Sequence, residues 1–390
     1  MPISVYLDLS KAFDTLDHKI LLHKLKYYGV CDSSLKWFHS YLTNRQQHVS
    51  FDDTVSSALP LKTGVPQGSI LGPLLFIIYT NDIYRASQKF DSILYADDTT
   101  LITPLCSFNS SVNLETRDAS DKINEELTKI HNWLSVNKLS LNIAKTKFMV
   151  FHFPQRRVIP TLDIKINNIA VSRTTEFNFL GLFVNETLNW NTHVNKIATK
   201  LSRLIGMFKR IHKFLPVKTL LLIYNSLFLP HLNYSILAWG YSWDRIFKLQ
   251  KSAIRLICHE RYNAHTDPLF KSLKLLKLQD IYKHKALKFY YRYSQNQIPE
   301  YFKNMFDFPT LTHPYETRNR HIPQLPISKL NKTSNCIRYH IPTLLKNTPP
   351  CILDKVHTHS MDGYSKYIKS YLINQYSEIC TLENCYVCAT

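Results

Sequence analysis

Apolar positions recur along this chain with two different periods, and the change of period divides it. Residues 4–9, SVYLDL, are a short apolar run interrupted by Asp8. A charge inside such a strand is costly unless it is used. Residues 15–28 carry Leu16, Ile20, Leu21 and Leu25 at helical spacing, with Lys24 on the same face and Gly29 as a stop. Residues 34–42 read as a second helix and residues 45–51 alternate like a strand. Residues 64–72, punctuated by Pro66, Gly68 and Gly72, form a loop leading into an apolar helix. Residues 92–102 read as a hairpin, two β-compatible arms flanking Asp97 and Asp98 as turn residues. Ile123, Leu127, Ile130 and Leu134 place one stripe on a helix over residues 120–137. A strand follows at 147–153, and a further hairpin is expected within 162–184.

From residue 191 the period becomes strongly helical. Val194, Ile197, Leu201, Leu204, Ile205, Phe208 and Ile211 fall on one arc of a wheel, and Lys196, Lys200, Arg203 and Arg210 on the other. Helices are also expected at 218–228, 243–258 and 279–293. Residues 299–350 are broken by repeated proline.

Charge follows the same division. Of 48 Lys and Arg against 29 Asp and Glu in 390 residues, residues 191–390 hold 29 basic and 11 acidic side chains. The excess of +19 is therefore almost entirely a property of the second half, whose fitting partner is a polyanion such as nucleic acid. With 45% hydrophobic and 13% aromatic residues the chain can bury sizeable cores, which excludes a disordered or fibrous protein. The eight cysteines are dispersed except for Cys380, Cys385 and Cys388, unlike a secreted disulfide framework, so a reducing intracellular setting is expected. The start MPISVYLDLSKAF lacks the basic and apolar regions of a signal peptide, and no apolar run reaches membrane-spanning length.

The sharpest chemical signal is Asp97 and Asp98, with Asp8 on an apolar strand 89 residues earlier. An arbitrary Asp-Asp pair merely starts a turn. The apolar setting of both segments argues instead that the three carboxylates converge, with oxygen ligands suited to Mg²⁺ and to phosphoryl transfer.

The motifs around these residues are dense. YLDLSKAFDTLDH, GVPQGSILGPLLF, YADDTTL, LSLNIAKTKFMVF and FNFLGLFVN follow one another between residues 6 and 185. In this order and spacing they resemble motifs A to E of the reverse transcriptase of non-LTR (LINE-type) retrotransposons. The likeness continues less specifically through LPHLNYSILAWG. The resemblance implies an α+β fold: a right-hand polymerase palm, with an antiparallel sheet and helices, followed by an all-helical thumb and carboxy-terminal region. Its implied division is residues 1–155 as palm, 156–190 as primer-grip hairpin, 191–260 as basic thumb, and 261–390 as a basic helical region of unassigned role.

The resemblance further implies an RNA-directed DNA polymerase that joins deoxynucleotides to a primer 3′-OH on an RNA template. Asp8 and Asp97 are then ligands of two Mg²⁺ ions, for which Mn²⁺ can substitute, with Leu9 lending a backbone group and Asp98 supporting the site. Phe13 crowds the sugar 2′ position. Pro66, Gln67 and Gly68 approach the nucleotide and template. Lys145, in a motif shared with Asn142 and Thr146, gives a proton to departing pyrophosphate, and Phe179, Leu180 and Gly181 form the primer grip. Lys196, Lys200, Arg203 and Arg210 then face the duplex backbone, and Tyr282, Tyr290 and Tyr291 extend the track by stacking or simply pack a core. Some relatives end in a carboxy-terminal zinc knuckle; here nothing after Cys388 supplies a ligand, so zinc at Cys380, Cys385 and Cys388 is not expected. The family places fingers before motif A, whereas seven residues precede Asp8. The chain is therefore expected to be a truncated element copy or a partial gene model with weak activity or none, the alternative being a catalytically silent nucleic-acid-binding remnant.

Overall fold

The protein is described from a computed structural model, covering residues 1–104, 116–156, 159–241, 243–308, 322–326 and 336–378. It divides into two compact units, Met1–Phe179 with Val184–Leu188, and Leu180–Phe183 with Asn189–Thr390. The first contains β1 (Pro2–Leu7), α1 (His18–Tyr27), α2 (Asp32–Leu42), the two-residue strands β2 (Gln46–Gln47), β3 (Ser50–Phe51), β4 (Thr54–Val55) and β5 (Leu59–Pro60), and α3 (Leu71–Thr80). It continues through β6 (Asp91–Tyr95), β7 (Asp98–Pro104), α4 (Thr116–Val136), β8 (Lys147–Val150), β9 (Lys165–Ile166), β10 (Ile169–Ala170) and β11 (Ser172–Arg173). The hairpin of β12 (Glu176–Phe179) and β13 (Leu182–Asn185) straddles the division.

Five strands form the main sheet in the order β11-β8-β1-β7-β6, antiparallel except where β11 joins β8. The central strand β1 is buried from Ile3 to Leu7, with Ile3, Val5 and Leu7 on one face and Ser4 and Tyr6 on the other, so both of its faces are covered. Helix α4 buries the expected stripe, Ile123, Leu127, Ile130 and Leu134. Helix α1 begins later than its apolar spacing suggested, because Asp17 caps it, accepting from the Lys19 and Ile20 amides at 2.9 and 3.0 Å. The odd lysine on its apolar face, Lys24, reaches the Tyr79 carbonyl and the Asp82 carboxylate, both at 2.6 Å, and lies over the Trp133 ring.

Three expectations change. The strand at residues 45–51 is two short strands in two separate two-stranded ladders, β2 with β5 and β3 with β4. The hairpin at 162–184 is three elements: β9 turns onto β10, β11 joins the main sheet, and β12 pairs with β13. Asp98 is not a turn residue. It begins β7 opposite Tyr95, leaving Ala96 and Asp97 as the two-residue turn, with Ala96 at φ 51°.

Apart from the Leu180–Phe183 portion of the β12–β13 hairpin, the elements of the second unit among its described residues are helices: α5 (Asn191–Ile211), α6 (Val217–Ile223), α7 (Leu229–Asn233), α8 (Ile236–Trp239), α9 (Asp244–Ile257), α10 (Asp267–Ser272), α11 (Leu278–Ser294), α12 (Ile337–Lys346), α13 (Pro350–Leu353), α14 (Lys355–Thr358) and α15 (Met361–Asn374). One π-turn, Tyr224–Phe228, joins α6 to α7 where a single helix was expected. An apolar cluster runs from Val194 to Tyr376 and includes Phe208, Trp239, Ile254 and Leu278. A second gathers α11, α12 and α15 around Leu287, Tyr291, Ile341 and Ile368.

Candidate active site

The sheet register builds the acidic centre. β1 pairs with β7 up to Leu7 opposite Thr99, so one further step sets Asp8 opposite Asp98, with Asp97 in the adjoining turn. Asp8 lies just past the end of β1 rather than within it, so its carboxylate avoids the buried part of the strand. Lost hydration, then the negative charges of Asp97 and Asp8, push the Asp98 carboxyl above its usual range. That dependence places Asp97 and Asp8 each within electrostatic reach of Asp98.

The segment of Asn142, Lys145 and Thr146 lies along the other edge of the same strand end. The Asn142 amide donates to the Asp8 carbonyl at 2.8 Å, and the Ser10 amide to the Ser140 carbonyl at 2.8 Å. Leu9 bridges Leu141 between them. Because bonding groups alternate sides along a strand, the Leu9 N–H and C=O point the opposite way, toward the β7 side. Buried Thr146 accepts from the Asp8 amide through Oγ1 at 3.4 Å. Lys145 is exposed in the turn that Asn142 closes.

A cleft of about 410 Å³ opens beside these residues, lined by Leu9, Lys11, Ala12, Phe13, Pro66, Gln67, Gly68, Pro73 and Asp97. Six residues singled out from sequence therefore share one cavity: Leu9, Phe13, Pro66, Gln67, Gly68 and Asp97. Two loops are tied together to make it. The Val65 amide donates to the Phe13 carbonyl at 2.9 Å and the Gly64 amide to the Leu16 carbonyl at 2.8 Å. Gly64, at φ 83°, sits so close to Asp14 that a Cβ would lie 2.7 Å from its carbonyl oxygen. Phe13 is half-buried and held 4.7 Å from the Phe76 ring. Gly68 has φ 80° and open space where a Cβ would be, so its backbone conformation, not crowding by the protein, calls for glycine.

Two charged residues, one lining the cleft and one behind its wall, were not singled out from sequence. Lys11 lines the cavity and holds φ 49°, an uncommon backbone conformation for a lysine. Asp14 fixes Gln67, whose Nε2 donates to its Oδ1 at 2.9 Å. Their one available signal was position, between Asp8 and the end of DLSKAFD.

Among the described residues no group of three or more His, Cys, Asp or Glu forms a ready metal cage, nor does any ion pair there use Asp8, Asp97 or Asp98. Three carboxylates without a counter-cation are a mutually repulsive, all-oxygen set, the chemistry that suits a divalent hard cation. Cys380, Cys385 and Cys388 lie outside the described residues.

In the second unit, Leu180 and Gly181 are the turn between β12 and β13, both at positive φ, 49° and 84°. This is the turn geometry that favours glycine second. Tyr234 donates its hydroxyl to the Leu180 carbonyl, and its ring covers Gly181 at 3.7 Å from a hypothetical Cβ. Phe179 is half-buried at the end of β12. Helix α5 keeps the expected arrangement: Val194, Ile197, Leu201, Ile205 and Phe208 are buried, while Lys196, Lys200, Arg203 and Arg210 are exposed. Lys196 Nζ stands 3.4 Å from the centre of the Phe183 ring. Tyr290 and Tyr291 are core residues, Tyr291 stacking on Tyr364, and are not stacking platforms. Tyr282 is half-buried beside His340.

Residues 3–184 match the family described as Reverse transcriptase (RNA-dependent DNA polymerase). The chain is 27% identical over 302 residues to a probable RNA-directed DNA polymerase from transposon X-element of Drosophila melanogaster, covering 73% of this chain and 31% of that protein. It is 26% identical over 302 residues to the RNA-directed DNA polymerase from mobile element jockey of the same species, covering 74% and 32%. A telomerase from Candida albicans, solved with a fragment of telomeric RNA, is a distant likeness at TM-score 0.35 and 15% identity, covering 71% of this chain and 51% of that one. The chain spans about a third of the length of the curated relatives it matches. Among the described residues no helix is long and apolar enough to cross a membrane. With its five motifs in order and its matched segment carrying the acidic turn and the cleft, residues 3–184 are a reverse transcriptase domain of the non-LTR retrotransposon type.

Proposed function

We propose that this chain extends a DNA primer by one deoxynucleotide at a time on an RNA template. The observation that carries this reading is the cleft in which Asp97 meets Phe13, Pro66, Gln67 and Gly68, beside Asp8 and Asp98. In the reaction the primer 3′-oxygen bonds to the α-phosphorus of a deoxynucleoside triphosphate, the bond to the bridging oxygen breaks, and pyrophosphate leaves. Asp8 and Asp97, with the Leu9 backbone, would hold two Mg²⁺ or Mn²⁺ ions. Bound there, such ions supply charge stabilisation for the attacking and leaving oxygens. Asp98 keeps the local field negative and supports them.

The chain's own residues do the rest. Phe13, braced by Phe76, occupies the space a ribose 2′-hydroxyl needs. Gln67, held by Asp14, orients base and sugar from the opposite wall. Lys11 is the cation among the cleft residues and faces the triphosphate. Lys145 gives a proton to pyrophosphate, a modest contribution beside the metals. Phe179, Leu180 and Gly181 hold the primer end, and Lys196, Lys200, Arg203 and Arg210 hold the duplex backbone through contacts indifferent to sequence. This reading treats residues 1–155 as palm, 156–190 as primer grip, 191–260 as thumb and 261–390 as an appended helical region. It places the chain in the reducing nucleus and cytoplasm.

The test is primer extension on a defined RNA template with Mg²⁺ and labelled deoxynucleotides. Incorporation that falls about tenfold or more in Lys11→Ala, a loss of about 1.4 kcal/mol of transition-state stabilisation, supports the reading. Template binding with no incorporation under any metal condition contradicts it, and favours a silent binding remnant.

A further inference from the structure

The motif that carries Asp8 closes on Asp17 and His18, and neither lines the cleft. Asp17 fixes the start of α1. Beyond capping the helix, its Oδ2 accepts from Lys138 Nζ at 2.6 Å, and its amide donates to the Tyr79 hydroxyl at 3.4 Å. That hydroxyl in turn donates to the Asn137 carbonyl at 2.6 Å. With Leu21 and Leu25 fully buried, this end of α1 is held from several sides. His18, the first residue of the helix, reaches from it to the loop before α3, its Nε2 donating to the Gly64 carbonyl at 2.7 Å. A carbonyl oxygen only accepts, so the ring carries a proton on Nε2.

The loop needs such a tie. Its other bonds on this side run from Thr63 Oγ1 to the Asp14 carbonyl at 3.0 Å, from the Gly64 amide to Leu16 and from the Val65 amide to Phe13. All three end on residues 10–17, which are themselves irregular, with Lys11 at positive φ. Two loops bonded to one another fix neither in place. At its far end the loop is tied to α3, where Ser69 Oγ donates to the Pro66 carbonyl at 2.8 Å and accepts from the Gly72 amide at 2.9 Å. Gly64 to Pro66 is therefore an arch with one carbonyl held from α1 and the other from the start of α3, and the cleft residues Gln67 and Gly68 follow directly.

We propose that His18 is a positioning residue for the incoming deoxynucleotide: by holding the Gly64 carbonyl against α1, it sets where the cleft wall of Pro66, Gln67 and Gly68 stands. The inference rests on the polymerase reading and adds to it a residue outside the cleft. Helix stability does not account for a histidine here, because the first turn of a helix disfavours a group that can become cationic. Core packing does not either, since His18 is half-buried and its Nε2 is committed to the loop.

Primer extension by the full chain, with dTTP varied on an RNA template of repeated adenosines, compares the parent with two variants. His18→Leu removes the donor; His18→Gln keeps an amide N–H of similar reach. KM for dTTP should rise about three- to tenfold in His18→Leu, the span of one lost hydrogen bond, with kcat within about twofold. His18→Gln should recover most of that difference. A merely structural role gives the opposite split, because fewer folded molecules lower the apparent kcat and leave KM alone. His18→Leu combined with Gln67→Ala should raise KM by less than the product of the single effects, since both act on one wall. A second readout needs no activity: hydrogen exchange over residues 63–68 should quicken about three- to tenfold in His18→Leu while that over residues 2–7 stays as in the parent. Equal KM in a folded His18→Leu protein overturns the proposal, as does a fall in kcat alone or unchanged exchange over residues 63–68. A parent that incorporates no nucleotide rejects the polymerase reading instead, and the exchange comparison then decides whether His18 holds the loop.

Discussion

Gln67 and Asp14, fifty-three positions apart, meet through a 2.9 Å hydrogen bond from Nε2 to Oδ1, which fastens the loop before α3 to the turn after β1. The bond is exposed, so it contributes about 1 kcal/mol or less to stability. Its effect is on the position of the cleft wall. Asp14→Ala should raise KM for the deoxynucleotide about three- to tenfold with kcat nearly unchanged, and Gln67→Ala should do the same without adding to it. Additive losses, or a fall in kcat alone, would show that the two act separately.

Phe13 is predicted to set sugar selection. Its ring is braced at 4.7 Å by Phe76, so it cannot swing away from a 2′-hydroxyl without opening a void. Phe13→Val should raise ribonucleotide incorporation relative to deoxynucleotide by about 10- to 200-fold, the range one methylene-scale steric difference provides. Unchanged discrimination would assign Phe13 to packing.

The Leu180–Gly181 turn depends on one hydroxyl. Tyr234→Phe removes the donor to the Leu180 carbonyl and should cost about 1 kcal/mol in unfolding free energy, while Gly181→Val forces a branched residue to φ 84° at about 1–3 kcal/mol. Urea unfolding measures both. If primer extension falls in Gly181→Val by no more than the loss of folded protein, the turn is structural and does not hold a primer.

Stability of the helical unit should depend on pH through two imidazoles, His193, which is buried, and His284, which is half-buried. His193 accepts from the Phe183 amide at 3.3 Å, and burial, then the charge of Lys200, lowers its pKa to about 4. Burial first, opposed by the Ser365 bond, takes His284 to about 4 as well. Unfolded imidazoles titrate near 6.5, so between pH 6.5 and pH 4 the unfolded chain binds protons that the folded chain refuses. Stability is therefore full above pH 6.5 and falls on acidification, by up to about 3 kcal/mol per histidine. Unfolding at pH 7 and pH 5 should differ in the parent and less so in His193→Gln. A pH-independent midpoint would contradict the burial.

Long periodic elements were legible in the sequence because burial of one face wrote their pattern: α4 and α5 bury the stripes their spacing announces. Short strands were not. β2 to β5 are two residues each, with Phe51, Val55 and Leu59 exposed, so neither side is recorded in the alternation. Asp98 was misplaced because Asp-Asp is good turn chemistry locally, whereas the ladder with Tyr95 selects Ala96 and Asp97. Cleft residues carried by motifs were found. Lys11 and Asp14 were not, since a lysine and an aspartate in a charged segment look like solvated side chains until the loop from Thr63 to Gly68 folds against them.

The central claim, that the turn after β6 carries catalytic metal chemistry, rests on Asp97. Primer extension with Asp97→Asn, alongside RNA binding and a melting curve for the same protein, tests it directly. Incorporation should fall at least about a thousandfold, about 4 kcal/mol of transition-state stabilisation, with RNA binding within about twofold and the fold intact. Incorporation equal to the parent in a folded Asp97→Asn protein would contradict the account.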